Sequence, residues 1–295
     1  MENTKSKPYE KDELRKVQLK SLEMLIYFKK ICEENNLEFY FCGGCCIGAL
    51  RHKGFIPWDD DIDIFMKRDD YEKLEKVWNE KADTKKYSYC RPNKDKNYRN
   101  LFATINDNNT TFIKTHQADL DINHGLVLDI LPLDGYPNKK YQRLLQVFWA
   151  LTYSLFCAEM IPKNHGKLVS FIGKVLLGIF KSEKTRYKIW SFAEKQMKKY
   201  KISDCDNITE LCSGPFYMMK KYPKSDFEKA IYKEFEGEKV PLPVGYDDYL
   251  KIAFGNYMKM PPKEKQIPHH DVVFWDLNNS YKKYKGKYYC VEEKK

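Results

Sequence analysis

An α/β fold of the α+β kind is predicted by two features of this 295-residue chain. Short β-prone runs alternate with amphipathic helical segments up to about residue 137, which predicts a sheet flanked by helices. From Tyr141 the pattern changes to long helical stretches, followed by a mixed tail rich in Tyr, Pro and Lys. We divide the chain into a flexible tail (1–11), an α/β core (12–137), a helical region (138–204) and a C-terminal segment (205–295).

The core opens with a helix, a strand and a glycine turn. Apolar residues recur at three- and four-residue steps from Leu14 to Cys32, which predicts an amphipathic helix. Residues 38–42 form a short β-prone run that ends at Gly43-Gly44, and residues 47–50 predict a brief helical turn.

The later elements follow from the same two periodicities. Alternation over residues 61–65 predicts a second strand, and Asp69 or Asp70 can cap the helix after it. Apolar runs predict further strands at 101–105, 111–114 and 126–131, the last ended by Pro132. Helices are predicted at about 141–161, 165–181 and 184–200.

The composition is typical of a soluble globular protein, with 42% hydrophobic and 32% charged residues and a mean hydropathy of −0.68. It excludes wholesale disorder, collagen and a polytopic membrane protein. The polar first residues lack the apolar run of a signal peptide, so we predict a cytoplasmic location. Nine scattered cysteines, an odd number, predict reduced thiols without a structural disulfide.

Two apolar segments raise the question of membrane contact. Residues 144–161 contain Gln146 and Glu159, and residues 168–180 are short and contain Lys174, so neither is predicted to span a bilayer. Two interpretations stay open. The segments are buried core helices, or they form an interfacial patch that gives peripheral contact with the anionic inner face of the membrane.

A run of acids beside the second predicted strand indicates a metal site. Side chains two apart share one face of a strand, so Asp61 and Asp63 would project together. Carboxylates so close repel each other unless a cation lies between them, and hard oxygen ligands suit Mg²⁺ or Mn²⁺. Asp59 shares this face if the strand extends that far, which makes it an auxiliary ligand, whereas Asp60 is predicted not to be a ligand.

Other residues would complete a site for phosphoryl transfer. Asp129, in the apolar run 126–131, is the candidate for a third acid on a neighbouring strand. Gly43-Gly44 allows close approach of the backbone to a phosphate, with the amides of the following helix directed at it. Arg51 and Lys53 could neutralise the same phosphates.

One continuous part of the core runs from Gly43-Gly44 through Gly48-Ala49-Leu50-Arg51-His52-Lys53-Gly54-Phe55-Ile56-Pro57-Trp58-Asp59-Asp60-Asp61-Ile62-Asp63-Ile64. This stretch resembles the signature of the LicD family. Further similarity lies in Gly125 to Gly135 (GLVLDILPLDG) and in Phe235-Glu236-Gly237. It extends to 241–250 (PLPVGYDDYL) and to the segment from Gly255-Asn256-Tyr257-Met258 through His269-His270. No such motif lies in residues 140–200.

The resemblance implies a nucleotidyltransferase-like fold, with a mixed sheet in the core and the C-terminal segment completing the site. It also implies a transferase of phosphorus-containing groups. The expected reaction moves phosphocholine from CDP-choline, or another phospho-alcohol from its CDP-alcohol donor, to a surface glycan or its lipid-linked precursor. The acceptor would be of the teichoic acid or lipopolysaccharide type. Asp61 and Asp63 take the place of the family's metal pair, and Asp129 that of the third carboxylate, as a base or second-metal ligand.

The resemblance bears on four further residues. Cys45 stands where the family commonly has a hydroxyl, so its backbone amide is expected to serve the phosphate. Trp58 could stack on cytosine or face a quaternary ammonium, or plug the core. His269 and His270 either reach the phosphates or acceptor, or only hold the C-terminal tail in place.

Other functions stay open from the sequence. The same metal site would support transfer of ribitol or glycerol phosphate, or nucleotidyl transfer onto a small molecule. The net charge of +10, from 52 Lys and Arg against 42 Asp and Glu, and the aromatic content also suit a basic nucleic-acid-binding protein. Because no basic block or recognition motif is present, no nucleic acid partner is expected.

Overall fold

The computed structural model describes residues 11–161, 167–268 and 271–292. Its helices and strands follow one another as an α+β arrangement, joined by loops and short 3₁₀ turns. The helices are α1 (Lys11–Glu34), α2 (Gly43–Arg51), α3 (Arg68–Lys81), α4 (Lys140–Ala158), α5 (Lys167–Ile179), α6 (Glu183–Met197) and α7 (Tyr246–Phe254). The strands are β1 (Tyr40–Phe41), β2 (Asp63–Lys67), β3 (Tyr87–Cys90), β4 (Ala103–Asp107), β5 (Thr111–Lys114), β6 (Val127–Tyr136), β7 (Asn207–Thr209), β8 (Tyr222–Pro223), β9 (Ala230–Phe235), β10 (Glu238–Pro243) and β11 (Val272–Asp276).

The main sheet is mixed, and its centre is the parallel pair β2 and β6. The order is β1-β2-β6-β4-β3, and β7 extends β6 beyond the end of β4, with β8 beside it. The other described pairs of this sheet are antiparallel. Two small ribbons, β9 with β10 and β5 with β11, lie outside it. A mixed α+β fold is thereby confirmed.

The core of the sheet domain follows the predicted alternation. Ile62 and Ile64 are fully buried, as expected for the apolar partners of the acidic positions. Helices α1 and α3 pack against each other, with the ring of Phe28 stacked on that of Trp78 at 5.8 Å. The apolar face of α1 thus reaches the same core as the strand residues.

Several strand boundaries differ from the prediction, since β1 and β4 cover Tyr40–Phe41 and Ala103–Asp107 rather than 38–42 and 101–105. Two further differences bear on the site. The second strand begins at Asp63 rather than at residue 61. Strand β6 does not end at Pro132 but continues to Tyr136. The amide of Asp129 bonds to the carbonyl of Ile62, just before β2, so the nitrogen of Pro132, three residues later, faces the opposite side of β6. There it lies between the stretch paired with β4 and the stretch paired with β7, so it removes no ladder hydrogen bond.

The helical region has its own core. Helices α4 and α6 pack closely, and buried residues such as Tyr153 and Trp190 form a second apolar cluster between them. Gln146, which the sequence placed in an apolar segment, is buried and donates to the carbonyls of Gly135 and Met197. Among the described helices, none is long and apolar enough to cross a membrane.

The predictions for the cysteines and the helices are confirmed, whereas the division into domains stays a prediction. All nine cysteines lie in described stretches, and each is a free thiol. Helices α1, α3, α4, α5 and α6 occupy the predicted stretches.

A buried ion pair fixes α3 against the sheet. Two nitrogens of Arg68 lie 2.7 and 2.8 Å from the carboxylate of Asp134, which is fully buried in β6. We expect Arg68→Met to lower the free energy of unfolding by about 3–5 kcal/mol, because it leaves the Asp134 charge buried without its partner. Urea unfolding followed by circular dichroism measures this change.

The control is Lys76→Met, which breaks an exposed pair with Glu80 on the outside of the same helix. Surface pairs contribute little, so this variant is expected to unfold at the wild-type urea concentration. Equal effects of the two substitutions would contradict the importance of the buried pair.

Candidate active site

A cavity of about 520 Å³ brings together residues from both ends of the chain. One wall is formed by the start of α2 and the loop before β2, and the other by the segment after β7 and by α7 with its following loop. Strands β2 and β6 contribute Asp63, Phe65 and Leu131. The remaining lining residues are Cys42, Gly43, Gly44, Ile47, Arg51, Ile56, Trp58, Asp59, Asp61, Glu210, Ser213, Tyr217, Tyr249, Phe254, Asn256, Tyr257, Lys259 and Pro261.

The first turn of α2 lies close to the acidic loop. Gly43 has φ of 49°, in the left-handed region that favours glycine, and its amide donates to the hydroxyl of Tyr249 at 3.0 Å. A side chain at Gly44 would collide with the carboxylate of Asp59. Both glycines are therefore required by local geometry, which lets the N-terminal end of a helix approach the cavity.

Asp59, Asp61 and Asp63 all line this cavity. Burial raises the pKa of Asp59 to about 9, helped by the charge of Asp61 and by a hydrogen bond between the two side chains. Burial also raises the pKa of Asp63 well above its usual range, and the charges of Asp61, Asp129 and Asp59 add to this effect. Three carboxylates at close range are thus held where their negative charges are unfavourable without a cation.

Asp129 lies beside Asp63, because these two residues are paired in the parallel register of β2 and β6. It shares a face of β6 with Leu131, which lines the cavity, although Asp129 itself lies just behind the lining. One of its carboxylate oxygens, Oδ1, is buried without a hydrogen-bond partner. The other, Oδ2, lies 3.6 Å from the ammonium of Lys114.

Lys114 is a part of the site that the sequence did not identify. It ends β5, in which every residue is buried. Its charge lowers the pKa of Asp63, against the effect of the surrounding acids. A lysine inside a predicted apolar strand was the available signal, since a buried ammonium requires a buried anion as its partner.

The donor set fits a divalent cation of the Mg²⁺ type. It offers several carboxylate oxygens around one cavity, a buried oxygen of Asp129 with no partner, and only Lys114 within ion-pair distance of Asp129 among the described residues. Oxygen-rich anionic sites of this kind suit hard cations, which would offset the mutual repulsion of the acids.

The prediction for Asp60 rested on a strand that does not reach it. Because β2 begins at Asp63, the two-residue alternation does not apply to residues 59–61. Asp59, Asp60 and Asp61 can each present an oxygen within 4.8 Å of the others. Asp60 is nevertheless buried outside the cavity lining, whereas its two neighbours face the cavity. A substrate in the cavity would therefore meet Asp59 and Asp61, so we keep Asp60 as a predicted non-ligand.

The predicted phosphate-binding residues divide into two groups. Arg51 lines the cavity, donates to the carbonyl of Tyr257 at 3.2 Å and has no carboxylate within 4.0 Å in the described parts of the chain. Lys53 lies elsewhere, exposed and 3.4 Å from Glu234, so the structure does not bring it to the cavity. This separation follows from the end of α2, after which the chain turns away with φ of 54° at Lys53.

The remaining predicted residues have distinct positions. Trp58 lines the cavity, half-buried. Cys45 is buried outside the cavity lining, and its sulfur accepts a hydrogen bond from the amide of Asp63 at 3.4 Å. Its side chain thus supports β2 rather than facing a substrate. His269 and His270 lie outside the described residues.

The resemblance implied that the C-terminal segment contributes to the site. Tyr249 and Tyr257, which lie in two of the segments that resemble the family, line the cavity, and so do Glu210 and Tyr217, which no sequence motif marked. A second cavity of about 540 Å³ lies between residues 93–99 and α6. It contains none of the clustered acids, so the chemistry of phosphoryl transfer favours the first cavity.

This chain is similar to known proteins over most of its length. The description "LicD/FKTN/FKRP, nucleotidyltransferase domain" matches residues 36–143, which include Asp59, Asp61, Asp63 and Asp129. The lipopolysaccharide cholinephosphotransferase LicD of Haemophilus influenzae is 34% identical over 271 residues, which cover 87% of this chain and 96% of that protein.

Two uncharacterised rickettsial proteins match shorter parts of this chain. The protein of Rickettsia prowazekii is 35% identical over 48 residues, which cover 16% of this chain and 18% of that protein. That of Rickettsia typhi is 39% identical over 41 residues, 14% of this chain and 13% of its own length. Because the Haemophilus protein is matched over nearly its whole length and the domain match contains the clustered acids, this chain belongs to the LicD family.

Proposed function

We propose that this protein transfers phosphocholine from CDP-choline to a hydroxyl of a surface glycan of the lipopolysaccharide type, in a metal-dependent reaction. The observation that carries the proposal is the set of carboxylates, Asp59, Asp61 and Asp63, that faces a cavity large enough for a nucleotide donor. The name of the Haemophilus relative, a lipopolysaccharide cholinephosphotransferase, supports the choice of transferred group and acceptor.

Asp61 and Asp63 would hold Mg²⁺ or Mn²⁺, with Asp59 as an auxiliary ligand. When bound, such an ion neutralises phosphate charge and stabilises the leaving nucleotide. Asp129 would either bind a second ion or accept the proton of the acceptor hydroxyl, and its position beside Asp63 with one unpartnered oxygen supports both roles. Lys114, with its ammonium 3.6 Å from Asp129 Oδ2, would hold that carboxylate in position.

The chain itself supplies the rest of the phosphate site. The N-terminal end of α2 favours an anion, and the absence of a side chain at Gly44 lets the Asp59 carboxylate lie close to this helix end. Arg51 adds a guanidinium that no described carboxylate neutralises. These groups orient the donor for in-line attack and stabilise charge in the transition state, so that CMP is released.

Asp61 and Asp63 form the proposed metal pair. We expect Asp61→Asn and Asp63→Asn each to lower CMP release from CDP-choline by about a hundredfold or more, because each loses an anionic ligand without a change of shape. Asp60→Asn, the matched control, is expected to stay within about threefold of wild type. The assay quantifies CMP in the presence of Mg²⁺ and a lipopolysaccharide acceptor, with and without EDTA.

A second readout does not depend on activity. Mg²⁺ is expected to raise the thermal unfolding midpoint of the wild-type protein and of Asp60→Asn, and to leave Asp61→Asn and Asp63→Asn unchanged. CMP release that persists in EDTA would contradict the metal site. Parallel assays with CDP-ribitol and CDP-glycerol, and a test for pyrophosphate in place of CMP, decide between the proposed reaction and its alternatives.

We also propose that the helical region rests on an anionic membrane. Helix α4 buries one face against α6, yet its outward face is apolar as well, with Leu144 71% exposed. The ring centroid of Trp149 lies 4.9 Å from that of Phe148 and 5.2 Å from that of Phe192. These contacts connect the outward faces of α4 and α6. This apolar helical surface consists of Tyr141, Leu144, Leu145, Phe148, Leu151, Phe171, Ile172, Val175, Ile179 and Phe192.

The charge of the chain supports this membrane contact. Residues 138–204 contain 14 Lys and Arg against four Asp and Glu, and this excess of ten positive charges equals the net charge of +10 of the whole chain. The rest of the sequence is balanced. An exposed apolar surface within a basic region is the combination that binds anionic bilayers, where apolar burial and electrostatic attraction add.

We expect the protein to sediment with vesicles that contain phosphatidylglycerol, and binding to weaken as salt is raised. Leu144→Asp combined with Phe148→Asp is expected to lower the bound fraction at least about tenfold, because both side chains leave the bilayer interface. The control, Val291→Asp, changes an exposed apolar residue outside the surface. Binding of the double variant equal to that of wild type would contradict the membrane contact.

A further inference from the structure

Glu210 is a buried acid that the metal site does not use. It follows β7, lines the cavity and is 4% exposed. Its carboxylate accepts a hydrogen bond from the hydroxyl of Tyr222. Within the described parts of the chain, no Lys, Arg or His nitrogen lies within 4.0 Å of it. Burial raises the pKa of Glu210 to about 7, against hydrogen bonds from Tyr222 and Ser213 and the charge of Lys220. A ligand that brings a positive charge into the cavity would therefore stabilise the ionised carboxylate.

Aromatic residues share this part of the cavity wall with Glu210. Tyr217 and Tyr249 line the same cavity, and the charge of Glu210 contributes, after burial, to the raised pKa of each. The ring of Tyr217 lies 5.8 Å from that of Phe254, and the ring of Tyr249 lies 5.2 Å from that of Tyr222. The wall near Glu210 thus presents aromatic rings together with one carboxylate.

This combination selects a particular kind of ligand. A phosphate is disfavoured, since it carries the same charge as Glu210. A divalent metal ion needs several oxygen ligands, whereas this wall offers one carboxylate and aromatic rings. A quaternary ammonium fits both features, because it has no N–H to donate and is recognised by charge and by the faces of aromatic rings.

We propose that Glu210, with the rings of Tyr217 and Tyr249, forms the subsite for the quaternary ammonium of the donor alcohol. The inference rests on the proposed function and adds to it the residues that distinguish choline from a neutral alcohol. The acids of the metal site and Glu210 then have separate tasks in one cavity. The first group binds the pyrophosphate through a metal ion, and Glu210 binds the opposite charge at the far end of the same donor.

The test compares two donors that differ only in the alcohol. Calorimetry with Mg²⁺ present measures the binding of CDP-choline and CDP-glycerol to wild type, to Glu210→Gln and to Tyr217→Leu. We expect Glu210→Gln to weaken CDP-choline about tenfold and to leave CDP-glycerol and CMP within about twofold, since Gln keeps the shape and the acceptor for Tyr222. Tyr217→Leu is expected to act in the same direction. The surface change Glu228→Gln is the matched control, expected to bind both donors as wild type does.

Two results would overturn the subsite. Equally weakened binding of CDP-choline and CDP-glycerol by Glu210→Gln would mean that the residue supports the cavity without distinguishing choline from glycerol. Loss of turnover with unchanged CDP-choline binding would make Glu210 a proton acceptor instead.

Failure of the proposed function is recognised separately. If wild type binds no CDP-alcohol, the proposed donor is wrong, and the cation site is tested on its own with tetramethylammonium. Weaker binding of tetramethylammonium by Glu210→Gln than by wild type would still support the cation site, and equal binding would overturn it.

Discussion

The parallel pairing of β2 with β6 places Asp63 directly beside Asp129, and much of the structure offsets the repulsion that results. Lys114 reaches this pair from β5, which belongs to a separate ribbon with β11. Cys45, outside the cavity lining, accepts a hydrogen bond from the amide of Asp63 and holds the first residue of β2 in place. A fold that brings acids together in this way stores electrostatic energy that a bound cation releases.

The other end of β6 is held by charges of opposite sign. Asp134, five residues after Asp129, is paired with Arg68 at the start of α3. Pro132 lies between the two acids, where β6 changes its neighbour from β4 to β7. One strand therefore carries both a paired acid that stabilises the fold and an incompletely paired acid at the cavity. Asp134 is paired with the guanidinium of Arg68, whereas Asp129 has one oxygen without a hydrogen-bond partner. This difference explains why a ligand is expected at Asp129 and not at Asp134.

Local sequence patterns predicted what depends on near neighbours. The helix that begins near Leu14 and the burial of Ile62 and Ile64 follow from spacing over a few residues. Asp59, Asp61 and Asp63 also line one cavity, but the first two lie in the loop before β2, where strand alternation does not apply. Features that depend on distant partners were not accessible. The passage of β6 through Pro132 requires the gap between β4 and β7. The roles of Lys114 and Glu210 depend on residues that folding brings near them. The separation of Lys53 from the cavity depends on the turn of the chain after α2.

The two halves of the cavity wall differ in what they can hold. The wall from α2 and the acidic loop has the amide end of a helix, Arg51 and the clustered carboxylates, a combination suited to phosphate and a metal ion. The C-terminal wall carries Glu210 and aromatic rings, and Tyr217 belongs to a turn whose Met218 carbonyl accepts a hydrogen bond from Arg143 of α4. That bond joins the cavity wall to the helix with the apolar outward face. Under the proposed membrane contact, a glycan carried on a lipid approaches along the helical region while the nucleotide donor occupies the cavity. The same proposed contact accounts for a chain whose positive charge lies in the helical region rather than around its acidic site.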